Sequence, residues 1–443
     1  MATGVCVSES KTGSRRRRAK RAVPTNPLQA GILSFLSHSK QHQQQEEEED
    51  RHTVDLSTDA IPKRFTLYSP ALFLPGNFAQ HSPAWRAVYD SLDDEAKQGL
   101  FASIADAFRR SGKDVSHIAI NAAIPATSGG GPDDNQEEKE DNNKDNRLRS
   151  PSQLQPVYGD FGPLSLAGPG PTQTDFDAAF WLSTSQESGI SQVWAPRWTM
   201  FSRGNVREKA RILGHGDHDI PGMSEQELGT VVGEAEVLDM YVGIGYFAFS
   251  YLKRGVKRVW GWDLNPWSIE GLRRGCEKNG WRHLVVRLAE NRQGLAQIQT
   301  LVDEHGSQNL LDRLPSCEVS MNPDAQTIAS IIAQADTGPA TQRVRCVAFL
   351  GNNEWASIAL RQIASHLQAL NGPKGPNSTT QPHYAEEISP SISIRHINLG
   401  LLPSSRDSWQ TAITLARKDA ASWLHVHENV NAKTIHHQVD DQL

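Results

Sequence analysis

Residues 235–281 read AEVLDMYVGIGYFAFSYLKRGVKRVWGWDLNPWSIEGLRRGCEKNGW, and their alternation decides the fold. Ala235–Met240 is a short apolar strand that closes on an acid, Asp239. Gly243-Ile-Gly245 makes a turn, and Tyr246–Leu252 opens a helix. Val259–Trp262 is a second strand with Asp263 at its end. Pro266 suits the first turn of the next helix, where its missing N–H would have no partner anyway, and that helix runs to about Lys278. Leu284–Leu288 is a third strand, followed by Glu290 and Asn291. Strand–helix–strand–helix–strand demands a parallel sheet with right-handed crossovers. The expected fold class is therefore α/β, a Rossmann-like doubly wound sheet. Such sheets bind ligands outside the carboxyl ends of their strands, where Asp239, Gly243, Gly245, Asp263, Glu290 and Asn291 would collect.

That set of residues suits a nucleoside. Glycines after the first strand let the backbone approach a ligand that a side chain would exclude. A carboxylate ending the second strand can accept both hydrogen bonds of a ribose diol, and a polar pair after the third can reach an adenine edge. Gly243-Ile-Gly245-Tyr-Phe-Ala248 fits the dinucleotide fingerprint, with Asp263 about 20 residues on. S-adenosylmethionine fits the same spacing. Asp239 favours it, because an acid there can pair with the methionine ammonium, whereas a pyrophosphate would be repelled.

Outside this stretch the composition divides the chain. Of 443 residues 37% are hydrophobic, and the mean hydropathy is −0.52, so part of the chain is solvated connector. The expected organisation is a disordered tail at 1–55, a small N-terminal α+β module at 60–125, a disordered linker at 126–172 and the main domain at 173–443. No apolar run is long enough for a membrane span, and the N-terminus lacks the apolar core of a secretory signal. Cys6, Cys276, Cys317 and Cys346 show no CxxC spacing, which argues against a disulfide framework or structural zinc and for a reducing, cytoplasmic setting. The net charge is −6, yet residues 197–292 hold 15 Lys/Arg against 12 Asp/Glu, so a polyanionic partner is permitted there.

The motif block resembles that of the archaeal and eukaryotic tRNA methyltransferases acting on the guanosine 3′ of the anticodon, and of their relatives. Three further segments are more specific: VWAPRWTMFSRGNVREKARI from Val193, NLGLLPSSRDSW from Asn398 and SWLHVHENV from Ser422. Together they resemble the fungal-type tRNA wybutosine-synthesizing aminocarboxypropyltransferases. The resemblance covers most of residues 175–300 and 390–430, and more loosely 63–95.

The resemblance implies transfer of the 3-amino-3-carboxypropyl group of S-adenosylmethionine to a ring carbon of 4-demethylwyosine in tRNA(Phe), with methylthioadenosine leaving. It also implies cofactor contacts at Ser202, Lys209, Asp263 and Glu290-Asn291, and Asn398 lining the target base. The family more often has Glu at position 263 and Asp at position 290, changes that keep the carboxylate. The protein would then be a cytoplasmic monomer with tRNA(Phe) as its partner, no membrane attachment and no metal. The alternatives are a tRNA guanosine-N1 methyltransferase of the same fold and a non-catalytic tRNA-binding remnant. The reading supplies no general base.

His396, His425 and His427 invite a metal reading, as does HGDHD at 215–219, but a structural His pair and a solvated loop are the plainer expectations. Sheets of this family usually continue past the strand at Trp423–Val426, so the last hairpin is expected to be missing. The apolar stretch RVRCVAFL, Arg343–Leu350, is the candidate to cover the open edge.

Overall fold

The computed structural model describes residues 26–43, 57–121, 151, 154–185, 188–201, 205–215, 219–288, 320–371, 391–402 and 404–428. The basic run Arg15–Arg21, the acidic run Glu46–Asp50 and the acidic block Asp133–Asp145 lie outside the described residues.

The N-terminal module is a four-stranded sheet, β1 (Thr66–Tyr68), β2 (Ala71–Pro75), β3 (His117–Asn121) and β4 (Leu154–Tyr158), paired in that order. Its face is covered by a helix at Asp94–Arg110, started by the Asp93 carboxylate, which accepts from Ala96 N at 2.7 Å. Leu100, Ile104 and Phe108 turn inward onto Leu72 and Ile118.

Two boundaries expected from the sequence are corrected here. The tail at 1–55 contains a helix, Pro27–Gln43, whose Leu28 and Ile32 are fully buried in the module's core. Gly31 makes this possible: a Cβ there would come within 2.6 Å of Ile104 Cα, so only glycine lets the two helices lie this close. The linker at 126–172 contains β4, which completes the module's sheet against β3. The order is supplied by partners distant in the chain, and composition averaged over each window hides it.

A hairpin, β5 (Leu182–Ser185) and β6 (Ser191–Trp194), leads into the main domain. Its sheet comprises β7 (Glu236–Asp239), β8 (Arg258–Asp263), β9 (His283–Leu288), β10 (Met321–Asn322), β11 (Cys346–Leu350), β12 (Ile394–Leu399) and β13 (Trp423–Val426). The order is β10-β9-β11-β8-β7-β12-β13; β10 runs antiparallel to β9 and every other neighbour pair is parallel. The helices Ala248–Arg254 and Pro266–Lys278 bury Leu252 and Leu272 on one face. The helices Ala325–Asp336, Ala356–Asn371 and Trp409–Leu415 bury Ile328, Ile363 and Leu415 on the other. The expected doubly wound sheet is therefore present. Its direction of winding reverses between β7 and β12, so the crevice lies at their carboxyl ends. At the opposite, amino end Arg258 is buried between Glu236 and Asp336 at 2.8 and 2.7 Å.

The stretch at 343–350 does not cover the β13 edge. Its strand, β11, lies inside the sheet between β8 and β9. Cys346, Val347, Ala348 and Phe349 are all buried, and Phe349 stacks on Trp262 at 4.0 Å. A strand apolar at every position has both faces covered and belongs in a sheet's interior. β13 is the outermost described strand on its side: Trp423 and His425 turn inward, while Leu424 and Val426 stay about 40% exposed. No helix among the described residues is long and apolar enough to cross a membrane.

Candidate functional site

Asp239 ends β7, and Asn398 of β12 is its register partner across the crevice. The Asp239 carboxylate is buried and accepts from Tyr241 N at 3.2 Å. Burial pushes its pKa up to about 7, against the pull of Asn398 and of the Tyr241 N–H toward the charged form. Asn398 is itself buried, and its Nδ2 makes no hydrogen bond of full geometry, although it lies near enough to the carboxylate to favour ionisation. Its Oδ1 faces His427 Nε2 at 3.2 Å. The His427 ring stacks on Phe247 at 4.8 Å, and burial lowers its pKa.

The turn after β7 takes positive φ at Gly243 (53°) and Gly245 (93°). It is fastened to β8 at two points: Val242 N donates to Trp262 O at 2.8 Å, and Gly243 N to Asp263 Oδ2 at 2.9 Å. Asn265 N donates to Asp263 Oδ1 at 2.8 Å. Burial nevertheless outweighs these two donors and raises Asp263 to about 6.

Lys209 comes from the helix Val206–Leu213, which packs on the helix Ala248–Arg254. It is 7% exposed, with Nζ 4.7 Å above the Tyr246 ring. No carboxylate among the described residues pairs with it, and burial lowers its pKa to about 8. Tyr246 is fixed by its hydroxyl, which donates to Met200 O at 2.7 Å.

Asp239, Gly243, Gly245, Asp263 and Asn398 therefore gather at one end of the sheet, and Lys209 lies over the Tyr246 ring beside the glycine turn. Ser202, Glu290 and Asn291 lie outside the described residues. The strand leading to 290 and 291 is β9, which is not β8's neighbour. With strands about 4.8 Å apart, its end lies roughly 10 Å from that of β8. The adjacent strand is β11, and the loop after it is fastened to the site. Gly351 N donates to Asp263 O at 3.1 Å, and Asn353 Nδ2 to Met240 O at 2.8 Å. Asn352 Oδ1 caps the following turn at Glu354 N. The sequence reading missed Asn352, Asn353, Tyr246 and the contact of His427 with Asn398. Placing the uniformly apolar CVAFL beside β8 would have found the first two.

The histidine pair is structural. His396 Nε2 faces Gly222 O at 2.9 Å, and a carbonyl only accepts, so this nitrogen donates. Its Nδ1 then accepts from His425 Nε2 at 2.9 Å. Burial holds these two rings neutral, at about 4 and about 3. Of HGDHD, Asp219 is held by Arg254 through two contacts of 2.8 Å. No group of three or more His, Cys, Asp or Glu among the described residues is arranged to hold a metal.

Six parallel strands ordered β9-β11-β8-β7-β12-β13, with a glycine turn and an acid at the switch point, define a doubly wound α/β protein with a nucleotide-type crevice. The chain is 34% identical over 384 residues to tRNA wybutosine-synthesizing protein 2 of Schizosaccharomyces pombe, covering 86% of this chain and 65% of that one. It is 26% identical over 400 residues to the protein of the same name in Saccharomyces cerevisiae, covering 85% and 63%. The chain is thus homologous to tRNA wybutosine-synthesizing protein 2, and spans just under two thirds of the length of these relatives. No family model matches it. Among solved structures, Pyrococcus horikoshii TYW2 in complex with MeSAdo aligns over 92% of this chain and 84% of that chain, at 12% identity and a TM-score of 0.41.

Proposed function

We propose that the protein transfers the 3-amino-3-carboxypropyl group of S-adenosylmethionine to a ring carbon of 4-demethylwyosine in tRNA(Phe). The observation that carries this reading is the 34% identity to a wybutosine-synthesizing relative across 86% of the chain. The crevice fits such a co-substrate. Gly243 leaves the backbone open, Asn398 Nδ2 and Lys209 are buried without full partners, and the Asp239 and Asp263 carboxyls are held where a cation or a diol would favour their charged forms.

In this reading Asp263 keeps lone pairs beyond its two backbone donors and accepts from the ribose hydroxyls. Asn352 and Asn353 take the adenine edge in place of Glu290 and Asn291. Asp239 pairs with the ammonium of the methionine tail and Lys209 with its carboxylate. Bound S-adenosylmethionine supplies a sulfonium that activates three carbons, so the outcome is decided by which carbon faces the acceptor. Anchoring both charged groups on the α-carbon of the methionine tail turns its γ-carbon toward the base that Asn398 lines. The ring's π electrons at the acceptor carbon form the new C–C bond, the C–S bond breaks with its electron pair staying on sulfur, and methylthioadenosine departs. The acceptor carbon then loses its proton to water, which restores the ring.

The test uses S-adenosylmethionine labelled either in the carboxypropyl carbons or in the methyl, with tRNA(Phe) carrying 4-demethylwyosine. Carboxypropyl label should enter the tRNA while methylthioadenosine accumulates. Methyl label in the tRNA would overturn the reading.

A further inference from the structure

A cleft of about 670 Å³ lies between the N-terminal sheet and the segment at 194–201 that runs toward the cofactor crevice. Lys63 and Arg64 stand at its mouth, both exposed. Among the described residues lining it there is no Asp or Glu. In a chain of net charge −6, a cleft whose charged side chains are all cations selects an anion. Its wall is aromatic. Phe73, Trp194 and Phe201 form a stacked column, 5.7 Å between the first two centroids and 4.6 Å between the last two. Tyr68 sets its ring at a steep angle to Phe73, Trp194 and Phe201. Phe73 and Trp194 are buried, whereas Phe201, at the end of the column, is only half-buried.

This wall is continuous with the crevice. Met200, beside Phe201, holds the Tyr246 hydroxyl, and the Tyr246 ring carries Lys209. We propose that the cleft binds unpaired nucleotides of an RNA, with a base extending the aromatic column at Phe201 and phosphates meeting Lys63 and Arg64. The assignment rests on the reading of the protein as an RNA-modifying enzyme. Aromatic faces joined to cations, without acids, are the combination by which single-stranded nucleic acid is held. A purely apolar ligand would have no use for the two cations, and a small anion no use for three stacked rings. The volume lies within the range of ligand sites and suits one or two nucleotides.

The experiment measures binding of an unmodified tRNA(Phe) transcript and of a single-stranded oligoribonucleotide to the full chain across a salt series. Calorimetry of S-adenosylmethionine is run on every variant. Lys63→Ala with Arg64→Ala should weaken RNA binding roughly tenfold and reduce the salt slope by about 0.7 for each single-strand phosphate no longer neutralised. Phe201→Leu should weaken binding at an unchanged slope, and Phe201→Tyr should restore it. Cofactor affinity should stay at the wild-type value in the Lys63/Arg64 variant, which reads the fold. Wild-type RNA affinity and slope in that variant would overturn the proposal. So would a free nucleoside monophosphate competing as well as the oligonucleotide. If the wild type binds RNA through these residues yet transfers no carboxypropyl group, the proposed chemistry fails and the cleft assignment stands.

Discussion

Asp239 and Asn398 are register partners at the carboxyl ends of β7 and β12, on either side of the point where the sheet reverses its winding. One is a buried acid with a pKa raised to about 7, and the other a buried amide whose Nδ2 lacks a full partner. Asn398→Asp sets two carboxyls together in this pocket. Like charges there disfavour ionisation, so one acid stays protonated. The expected result is cofactor binding weakened at least tenfold at pH 7, read by calorimetry. Asn398→Ala strips His427 of its acceptor and should cost about 1–3 kcal/mol of stability, read by denaturant unfolding.

The same acid gives binding a pH dependence. Asp239 must be ionised to pair with an ammonium, so cofactor affinity should fall as pH drops through about 7. Lys209 must be protonated to pair with a carboxylate, so affinity should also fall as pH rises through about 8. Calorimetry from pH 5.5 to 9.5 should trace a narrow optimum between the two. For the ligand-free chain the sign differs. Raised carboxyl pKa values favour the folded state below the unfolded acid range, and that contribution is lost as pH rises through about 6 for Asp263 and about 7 for Asp239. An affinity flat across pH 7 would remove Asp239 from the ammonium site.

Gly243 and Gly245 separate folding from binding. At Gly245 φ is 93°, and a Cβ would lie 2.6 Å from the ring of Phe249, which is fully buried and cannot yield. Gly245→Ala should therefore cost at least about 2 kcal/mol in stability. At Gly243 φ is 53°, a value other residues reach at a cost of about 1–2 kcal/mol, and the nearest atom to a Cβ would be 3.6 Å away on Tyr246. Gly243→Ala should remain folded by thermal unfolding yet lose cofactor affinity, because the methyl stands in the path of the ligand.

The sequence made the crevice legible where chemistry and local pattern coincide. Asp239, the two glycines and Asp263 fall at strand ends that apolar runs and a Pro266 helix start mark out, and the structure gathers them. Two parts were hidden for physical reasons. The helix Pro27–Gln43 is ordered by contact with Ile104, some 70 residues away, and its Leu28 and Ile32 sit in a Ser- and Gln-rich setting. Chain order alone makes HLVVRL the third strand of the winding. Yet that strand is half-exposed at most positions, as suits one near a sheet edge, while CVAFL is buried at all but its last. Uniform apolarity, and not chain order, marks the strand beside β8.

That exchange of strands yields the last prediction. If β11 occupies the place beside β8, its loop and not the residues after β9 reads the adenine. Gly351 N is already bonded to the Asp263 main chain and Asn353 to Met240, so the loop is held at the crevice before any ligand arrives. Asn352 uses one lone pair of Oδ1 on Glu354 N and keeps its Nδ2 available. Asn352→Ala should weaken S-adenosylmethionine binding by about 1–2 kcal/mol, the worth of a hydrogen bond in a partly buried site plus a loosened turn. Glu290→Ala should leave that affinity unchanged. Methylthioadenosine, which keeps the adenosine but lacks the amino-acid tail, should show the same contrast, whereas Lys209→Ala should weaken S-adenosylmethionine and leave methylthioadenosine unaffected. Calorimetry of both ligands against the three variants checks the assignment. A loss on Glu290→Ala with none on Asn352→Ala would return the adenine to the end of β9.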